Sequence, residues 1–276
     1  MFHCNKKTKD ECMTQAVDYL GLAGKVCAVT GAGGGIGRAV SLAMAEAGAR
    51  LVLLDRDTDA CAETAAALEE IGVEAPCIAC DVSDPASVTA AAKAAGPCDV
   101  LVNNAGLLRP GPIATLALEE WNRLLSVNLT GYFLCAQAFG AAMLERGSGA
   151  IVHIASIASR FPQGFSGAYS VSKAGVVMLS QQLALEWGPS GIRSNVVSPG
   201  LVRTPMSEAF YQAPGVAERR AAMVPVGRVA VPKDIADVVV FLASARAGYV
   251  NGEDICTDGG FGRTLMSLVP RPGFEK

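Results

Sequence analysis

Tyr169 and Lys173 stand four residues apart, a spacing that puts two side chains on one face of a helix. An ammonium there can lie beside a phenol and favour its ionised form. Moving a phenol from its ordinary pKa of about 10 to near 7 takes about 4 kcal/mol, within reach of a partly buried cation helped by further positive charge. Taken alone, the same pair also describes a solvated surface contact. Ser156 precedes Tyr169 by thirteen residues, just past the apolar run Ala150 to Ala155.

A second candidate is the run Thr30-Gly31-Ala32-Gly33-Gly34-Gly35-Ile36-Gly37, which follows an apolar segment and opens a helical one. It fits neither GxGxxG, whose sixth place would be Ile36 or Arg38, nor the P-loop pattern GxxxxGK[ST]. What remains is a glycine turn tight enough for a pyrophosphate to rest on the free amides of a helix N-terminus. Asp55 stands 24 residues after Gly31, at the end of the next apolar run. An acid there accepts hydrogen bonds from ribose hydroxyls and repels a 2′-phosphate, which favours NAD over NADP. Arg38 and Arg56 lie close enough in sequence to screen a phosphate instead.

These residues need a frame, and the chain supplies one by alternating strand-length apolar runs with longer alanine-rich stretches. Strands are expected at Val26 to Thr30, Leu51 to Asp55, Glu74 to Ala79, Val100 to Asn103, Ala150 to Ala155, Arg193 to Val197 and near Ile255. Their valine, leucine and isoleucine content is nearly continuous, as in parallel strands covered on both faces. Pro76 within the third run suits an edge strand, and the third strand is the edge in the order 3-2-1-4-5-6. Helices are expected at Ile36 to Ala47, Asp59 to Ile71, Pro85 to Ala95, Glu119 to Glu145 and Ala168 to Trp187. Gly48, Gly72, Gly96 and Gly188-Pro189 act as stops. The fold class is therefore α/β, a single-domain, Rossmann-like, doubly wound parallel sheet of about seven strands with helices on both faces.

Composition narrows the function. The 276 residues are 51% hydrophobic and only 18% charged, with a net charge of −3, which offers no footprint for nucleic acid. Two histidines, His3 and His153, are too few for a histidine-rich metal site, and no metal is expected. His153, in an apolar run, reads as a satisfied core histidine. The nine cysteines, an odd number scattered through apolar runs, suit a reduced, cytoplasmic protein, and Cys77 with Cys80 reads as structural. Between Arg123 and Glu145 lie 21 uncharged residues, interrupted by Ser126, Asn128, Thr130, Gly131, Gln137 and Gly140. That pattern suits a buried helix better than a membrane span. Lysines near the N-terminus have no apolar stretch behind them before Val17, so no signal peptide is expected. Other serine chemistries fail: Ser170 and Lys173 form SxxK without SDN or KTG, and Gly164-Phe-Ser166-Gly-Ala168 misses GxSxG and lacks a late histidine.

Seven motifs in order resemble the short-chain dehydrogenase/reductase superfamily over roughly Leu22 to Gly262. They are the TGxxxGxG turn ending at Gly37, Asp81-Val82, Asn103-Asn104-Ala105-Gly106, Asn128, Ser156, the YxxxK pair, and Pro199-Gly200 followed by Thr204. The resemblance implies an alcohol/ketone oxidoreductase with a tetrad of Asn128, Ser156, Tyr169 and Lys173. Tyr169 would be the general acid/base and Ser156 would bond the substrate oxygen. Lys173 would hold the ribose and lower the tyrosine pKa, and Asn128 would anchor a water. Cofactor contacts would come from Gly31, Gly33, Gly35, Ile36, Gly37, Asp55, Arg56, Asp81 and Val82 on one side. Asn104, Ala105, Gly106, Tyr169, Lys173, Pro199, Gly200, Val202 and Thr204 would supply the rest.

The substrate pocket would draw on Leu107, Ser156, Phe161, Gln163, Phe165, Tyr169, Met206 and Phe210, with Leu108 and Tyr211 adding apolar surface. Arg109, Arg160 and Arg203 would lie nearby. A hydrophobic or aromatic secondary alcohol or ketone is the first expectation, oxidised with NAD. An NADPH-dependent 3-oxoacyl thioester reductase is the alternative, weakened by Asp55 and by the lack of a basic residue at Gly34. A non-catalytic nucleotide-sensing relative is the second alternative, weakened by the intact tetrad. Relatives commonly pack as tetramers through the helices that here span Glu119 to Glu145 and Ala168 to Trp187, so a homotetramer is expected. Residues 1–22 read as a flexible leader, residues 23–262 as the catalytic domain and residues 263–276 as a tail.

Overall fold

The continuous apolar runs do become parallel strands, and alternate residues along them face opposite layers. The computed structural model describes residues 18–270 and 273. Its sheet has seven parallel strands in the order β3-β2-β1-β4-β5-β6-β7. They are β1 Val26–Thr30, β2 Arg50–Asp55, β3 Cys77–Ala79, β4 Val100–Asn103, β5 Gly149–Ile154, β6 Ile192–Pro199 and β7 Asp254–Thr257. Among the described residues, eight α-helices connect them: α1 Gly35–Glu46, α2 Thr58–Glu69, α3 Pro85–Ala95, α4 Leu118–Leu125, α5 Gly131–Arg146, α6 Tyr169–Trp187, α7 Val216–Met223 and α8 Pro232–Ala243.

The two layers are read directly from β2. Leu51 and Leu53 pack with Val40 and Met44 of α1 and with Ile235 and Val239 of α8. Val52 and Leu54 face the other way, toward Val88 of α3, Cys135, Phe139 and Met143 of α5, and Leu183 of α6. Every strand end that carries a candidate site residue is at the carboxyl edge of this sheet, where doubly wound folds open a crevice at the β1/β4 switch point.

Several boundaries differ from expectation for identifiable reasons. The third strand shrinks to Cys77–Ala79 and begins after Pro76, which lacks a donor, although the Pro76 carbonyl still accepts from the Leu53 amide at 2.9 Å. The expected helix Glu119 to Glu145 is a longer helical run with a π turn at Ser126–Thr130 between α4 and α5. The chain does not stop at Gly188, which stays right-handed; a 3-10 turn Gly188–Ser190 follows and Gly191 takes the left-handed conformation (φ 77°).

The described fold also includes residues before 23. Leu22 is buried in the core. Asp18–Leu20 form a 3-10 turn, and the Tyr19 carbonyl accepts from Arg246 Nε at 2.7 Å. The rest of the expected leader, and most of residues 271–276, lie outside the described residues, as do His3, Cys4 and Cys12.

Candidate active site

The glycine turn is built around close contacts. Gly31 has φ +64°, and a Cβ there would come within 2.8 Å of the Ala105 Cα; a Cβ on Gly37 would overlap the Gly31 carbonyl oxygen. Asn104 then pins the turn, its amide side chain donating to the carbonyls of Thr30 and Gly31, each at 3.0 Å. Thr30 Oγ1 accepts from the backbone amides of Asn104 and Ala105 at 2.9 and 3.1 Å. The first strand's end and the fourth strand's end are thus tied into one floor. Helix α1 starts behind Gly34 with no side chain capping its first amides, so these donors remain available to an anion.

A cleft of about 460 Å³ opens above this floor. It gathers Gly31, Gly35, Ile36, Asp55, Arg56, Asp81, Val82, Asn104, Ala105 and Gly106 along one wall. Tyr169, Lys173, Pro199, Gly200, Val202 and Thr204 lie along the other. Gly33 and Gly37 do not line it. Gly33 packs on Ala60, Gly37 on Gly31, and both work by allowing close approach. The elongated cleft, the uncapped helix end and an acid at the tip of β2 fit a dinucleotide laid from Asp55 to Tyr169.

At the reacting end, Ser156 sits just past β5 and its Oγ accepts from the Ala158 amide at 3.1 Å. Tyr169 opens α6. Burial pushes its phenol above the ordinary value, and a hydrogen bond with Ser156 pulls the other way. Lys173 Nζ lies 5.9 Å from the Tyr169 ring centre, and its burial drives the ammonium down to about 7. Burial thus acts on both groups in favour of their neutral forms.

Asn128 lies inside the π turn, fully buried and outside the cleft lining. Its Oδ1 accepts from the Leu107 amide at 2.7 Å, and its Nδ2 donates to the Leu107 carbonyl at 2.9 Å and to Ser172 Oγ at 3.3 Å. The side chain clamps the Leu107 backbone, with both Nδ2 hydrogens engaged and one Oδ1 lone pair uncommitted.

The substrate end departs further from expectation. Leu107, Ser156, Gln163, Tyr169, Met206 and Phe210 line the cleft, with Leu108 and Tyr211. Phe161 and Phe165 do not. Phe161 packs over Gly262 in the C-terminal segment, where an added Cβ would meet its ring at 2.6 Å. Phe165 is 78% exposed and adopts φ 58°, a left-handed conformation that turns its side chain to solvent. Arg160 is engaged by Asp254 and Arg203 by Glu208; Arg109 is exposed and does not reach the cleft.

Arg220 of α7, which no motif singles out, does line the cleft. Its guanidinium lies 4.6 Å from the Tyr211 ring centre and 5.4 Å from that of Phe210. Tyr132 was also missed; it contacts Lys173, and its position four residues after Asn128 on one helical run was the available signal. His153 is the expected core histidine. Its Nδ1 faces Asn103 Nδ2 at 3.3 Å, its Nε2 faces Ser194 Oγ at 3.2 Å, and burial drives its pKa down to about 3. Cys77 is exposed while Cys80 is buried. Among the described residues, no group of three or more histidine, cysteine, aspartate or glutamate side chains is arranged to hold a metal ion.

Comparison with known proteins agrees with this geometry. Residues 31–262 match the family described as enoyl-(acyl carrier protein) reductase. D-threitol dehydrogenase of Mycolicibacterium smegmatis is 44% identical, covering 90% of this chain and 99% of its own length. The L-tagatose-forming galactitol 2-dehydrogenase of Cereibacter sphaeroides is 40% identical, with coverages of 87% and 96%. Among solved structures, a gluconate 5-dehydrogenase from Burkholderia cenocepacia, in complex with NADP and tartrate, superposes with a TM-score of 0.86. It is 33% identical and covers 91% of this chain and 100% of its own.

Proposed function

We infer, from the chain's membership of the short-chain dehydrogenase/reductase family, that it interconverts a secondary alcohol and a ketone with a nicotinamide cofactor. From that premise we propose that it uses NAD(H) and acts on a small alcohol carrying further hydroxyl groups. The observation that carries this reading is the convergence of Ser156, Tyr169 and Lys173 in the same cleft as the glycine turn and Asp55.

Each residue of the cleft has a role in this reading. The α1 amides and the glycine turn hold the pyrophosphate. Asp55 accepts from the adenosine ribose, with Asp81 and Val82 beside the adenine. Pro199, Gly200, Val202 and Thr204 flank the nicotinamide. Ser156 donates to the substrate oxygen, which fixes its orientation. Tyr169 Oη takes the alcohol proton in oxidation and returns it in reduction. Lys173 binds the ribose and, as a cation, stabilises the ionised phenol. The bound nicotinamide supplies the hydride chemistry. Leu107, Met206 and Phe210 hold the carbon skeleton, and Gln163 and Arg220 are the polar groups available to its other hydroxyls.

NAD is favoured because Asp55 would face a 2′-phosphate. A homotetramer is supported by an apolar stripe on α6, where Val171, Met178 and Leu185 recur every seven residues and stay exposed, with exposed Phe133 on α5. A reducing, cytoplasmic setting is supported by the seven cysteines of the described residues, all free thiols.

The test is a spectrophotometric screen of the purified protein with NAD and NADP against D-threitol, galactitol, D-gluconate and simple secondary alcohols, and with NADPH against a 3-oxoacyl thioester. Turnover of a polyhydroxylated alcohol with NAD is expected. Activity confined to the thioester would replace this reading with the reductase alternative, and no turnover of any substrate would remove the enzyme assignment.

A further inference from the structure

Lys173 is 3% exposed, and among the described residues no carboxylate forms an ion pair with it. Its ammonium donates to the Ile154 carbonyl at 2.8 Å and to Tyr132 Oη at 3.2 Å. Tyr132 Oη donates to the same carbonyl at 3.0 Å. The three polar atoms close a triangle at the end of β5. The ammonium lies 5.0 Å from the Tyr132 ring centre, nearer than to that of Tyr169. We propose that Tyr132 is a positioning residue for Lys173, fixing the ammonium at the floor of the cleft and aiming its one uncommitted N–H at the bound cofactor and Tyr169. The proposal rests on the dehydrogenase reading for its place in catalysis.

Donor accounting supports the assignment. An ammonium has three N–H groups, and two are taken by Tyr132 and Ile154. Only one direction is left, and the two fixed bonds determine it. Tyr132 is itself held firmly: it is fully buried, its ring stacks on His153 at 5.8 Å with 19° between planes, and its carbonyl accepts from Asn103 Nδ2 at 3.1 Å. The groups that face Lys173 are Tyr169 on its own helix, Tyr132 from α5 and His153 from β5. None of them is anionic: His153 is neutral, and burial keeps the Tyr132 hydroxyl protonated. Tyr132 therefore does not compete with Tyr169 as an acid or base. Its oxygen is instead the side-chain acceptor that offsets the desolvation of the lysine.

Tyr132→Phe keeps the ring stack and deletes only the hydroxyl. With its acceptor gone, the lysine loses its proton at lower pH, and a neutral lysine no longer supports the ionised phenol. The alkaline limb of the kcat/KM profile is expected to move down by about one pH unit, and kcat at pH 8 to fall roughly tenfold with KM for the alcohol nearly unchanged. NADH binding, followed by fluorescence, is expected to weaken above pH 7 by a similar factor. Ser194→Ala cuts the His153 to Ser194 contact in the same buried network without touching Lys173, and is expected to leave both profiles in place. Tyr132→Met removes the hydroxyl through a different packing change, so either folded variant answers the question.

Profiles of Tyr132→Phe that superimpose on the wild type, or an equal shift in Ser194→Ala, would overturn the proposal. If no alcohol is turned over yet the pH dependence of NADH binding shifts in Tyr132→Phe alone, the dehydrogenase reading fails and the role of Tyr132 stands.

Discussion

The backbone amide of Gly33 donates to Oδ2 of Asp55 at 2.9 Å, joining the glycine turn to the tip of β2. The Asp57 amide takes Oδ1 at 3.0 Å, so the carboxylate is oriented before any ligand arrives. Asp55→Ser removes the charge that would oppose a 2′-phosphate. The ratio of kcat/KM for NADP over NAD is expected to rise at least about tenfold. Because the Gly33 donor loses its acceptor, the variant should also lose about 1 kcal/mol of stability. An unchanged ratio would show that Asp55 does not read the ribose.

Tyr169→Phe removes the proposed acid/base and leaves the cleft's shape. Turnover is expected to fall by about 10² to 10⁴, while the dissociation constant for NADH, measured by fluorescence, changes less than about threefold. Activity surviving at the wild-type level would sink the mechanism.

Stability of the ligand-free protein should rise with pH. His153 has its pKa driven down to about 3 from an ordinary 6.5. Between those values the unfolded chain carries a proton that the native state refuses, at about 1.4 kcal/mol per unit. Stability from this group is complete above pH 6.5 and is lost as pH falls toward 3. Lys173, driven down to about 7 from 10.5, works in the same sense between those two values. Thermal melts are expected to move upward from pH 5 to pH 8. His153→Gln should melt lower at pH 7 and show a flatter acid slope; an unchanged slope would mean that His153 is not the group that titrates.

Arg220 lines the cleft and rests on Phe210 and Tyr211. If it bonds a substrate hydroxyl, Arg220→Met should raise KM for the polyol about tenfold, the effect of losing one charged hydrogen bond, with little change in KM for NAD. A rise confined to the KM for NAD would assign the guanidinium to the cofactor instead.

The frame and most of the cleft's lining were legible in the sequence because they rest on local requirements. An uninterrupted apolar strand, a turn with no room for a Cβ, and a tyrosine and lysine one helical turn apart each leave a fixed spacing. The expected substrate-pocket residues left no such mark. Phe161 and Phe165 stood in the right segment, but one is drawn to Gly262 and the other turned outward by its backbone, and neither event is encoded in spacing. Arg203 and Arg220 are indistinguishable in the chain; only the fold reveals that Glu208 engages the first and leaves the second facing the cleft. The burial of Tyr169 and Lys173 was hidden for the same reason. Desolvation depends on what lies around a group in space, and a four-residue spacing says nothing of that.

Pro76 also limits how copies of this protein can meet. An outermost strand with free donors and acceptors is a template on which a second chain can add, and long, flat ones seed aggregates. Here that strand is three residues long and is preceded by a residue with no N–H to give. The margin beside the proposed adenosine site therefore offers an incoming strand little to grip. The proposed tetramer would then be built from side-chain contacts such as those of the exposed stripe on α6, and the proposed cofactor entrance would stay clear.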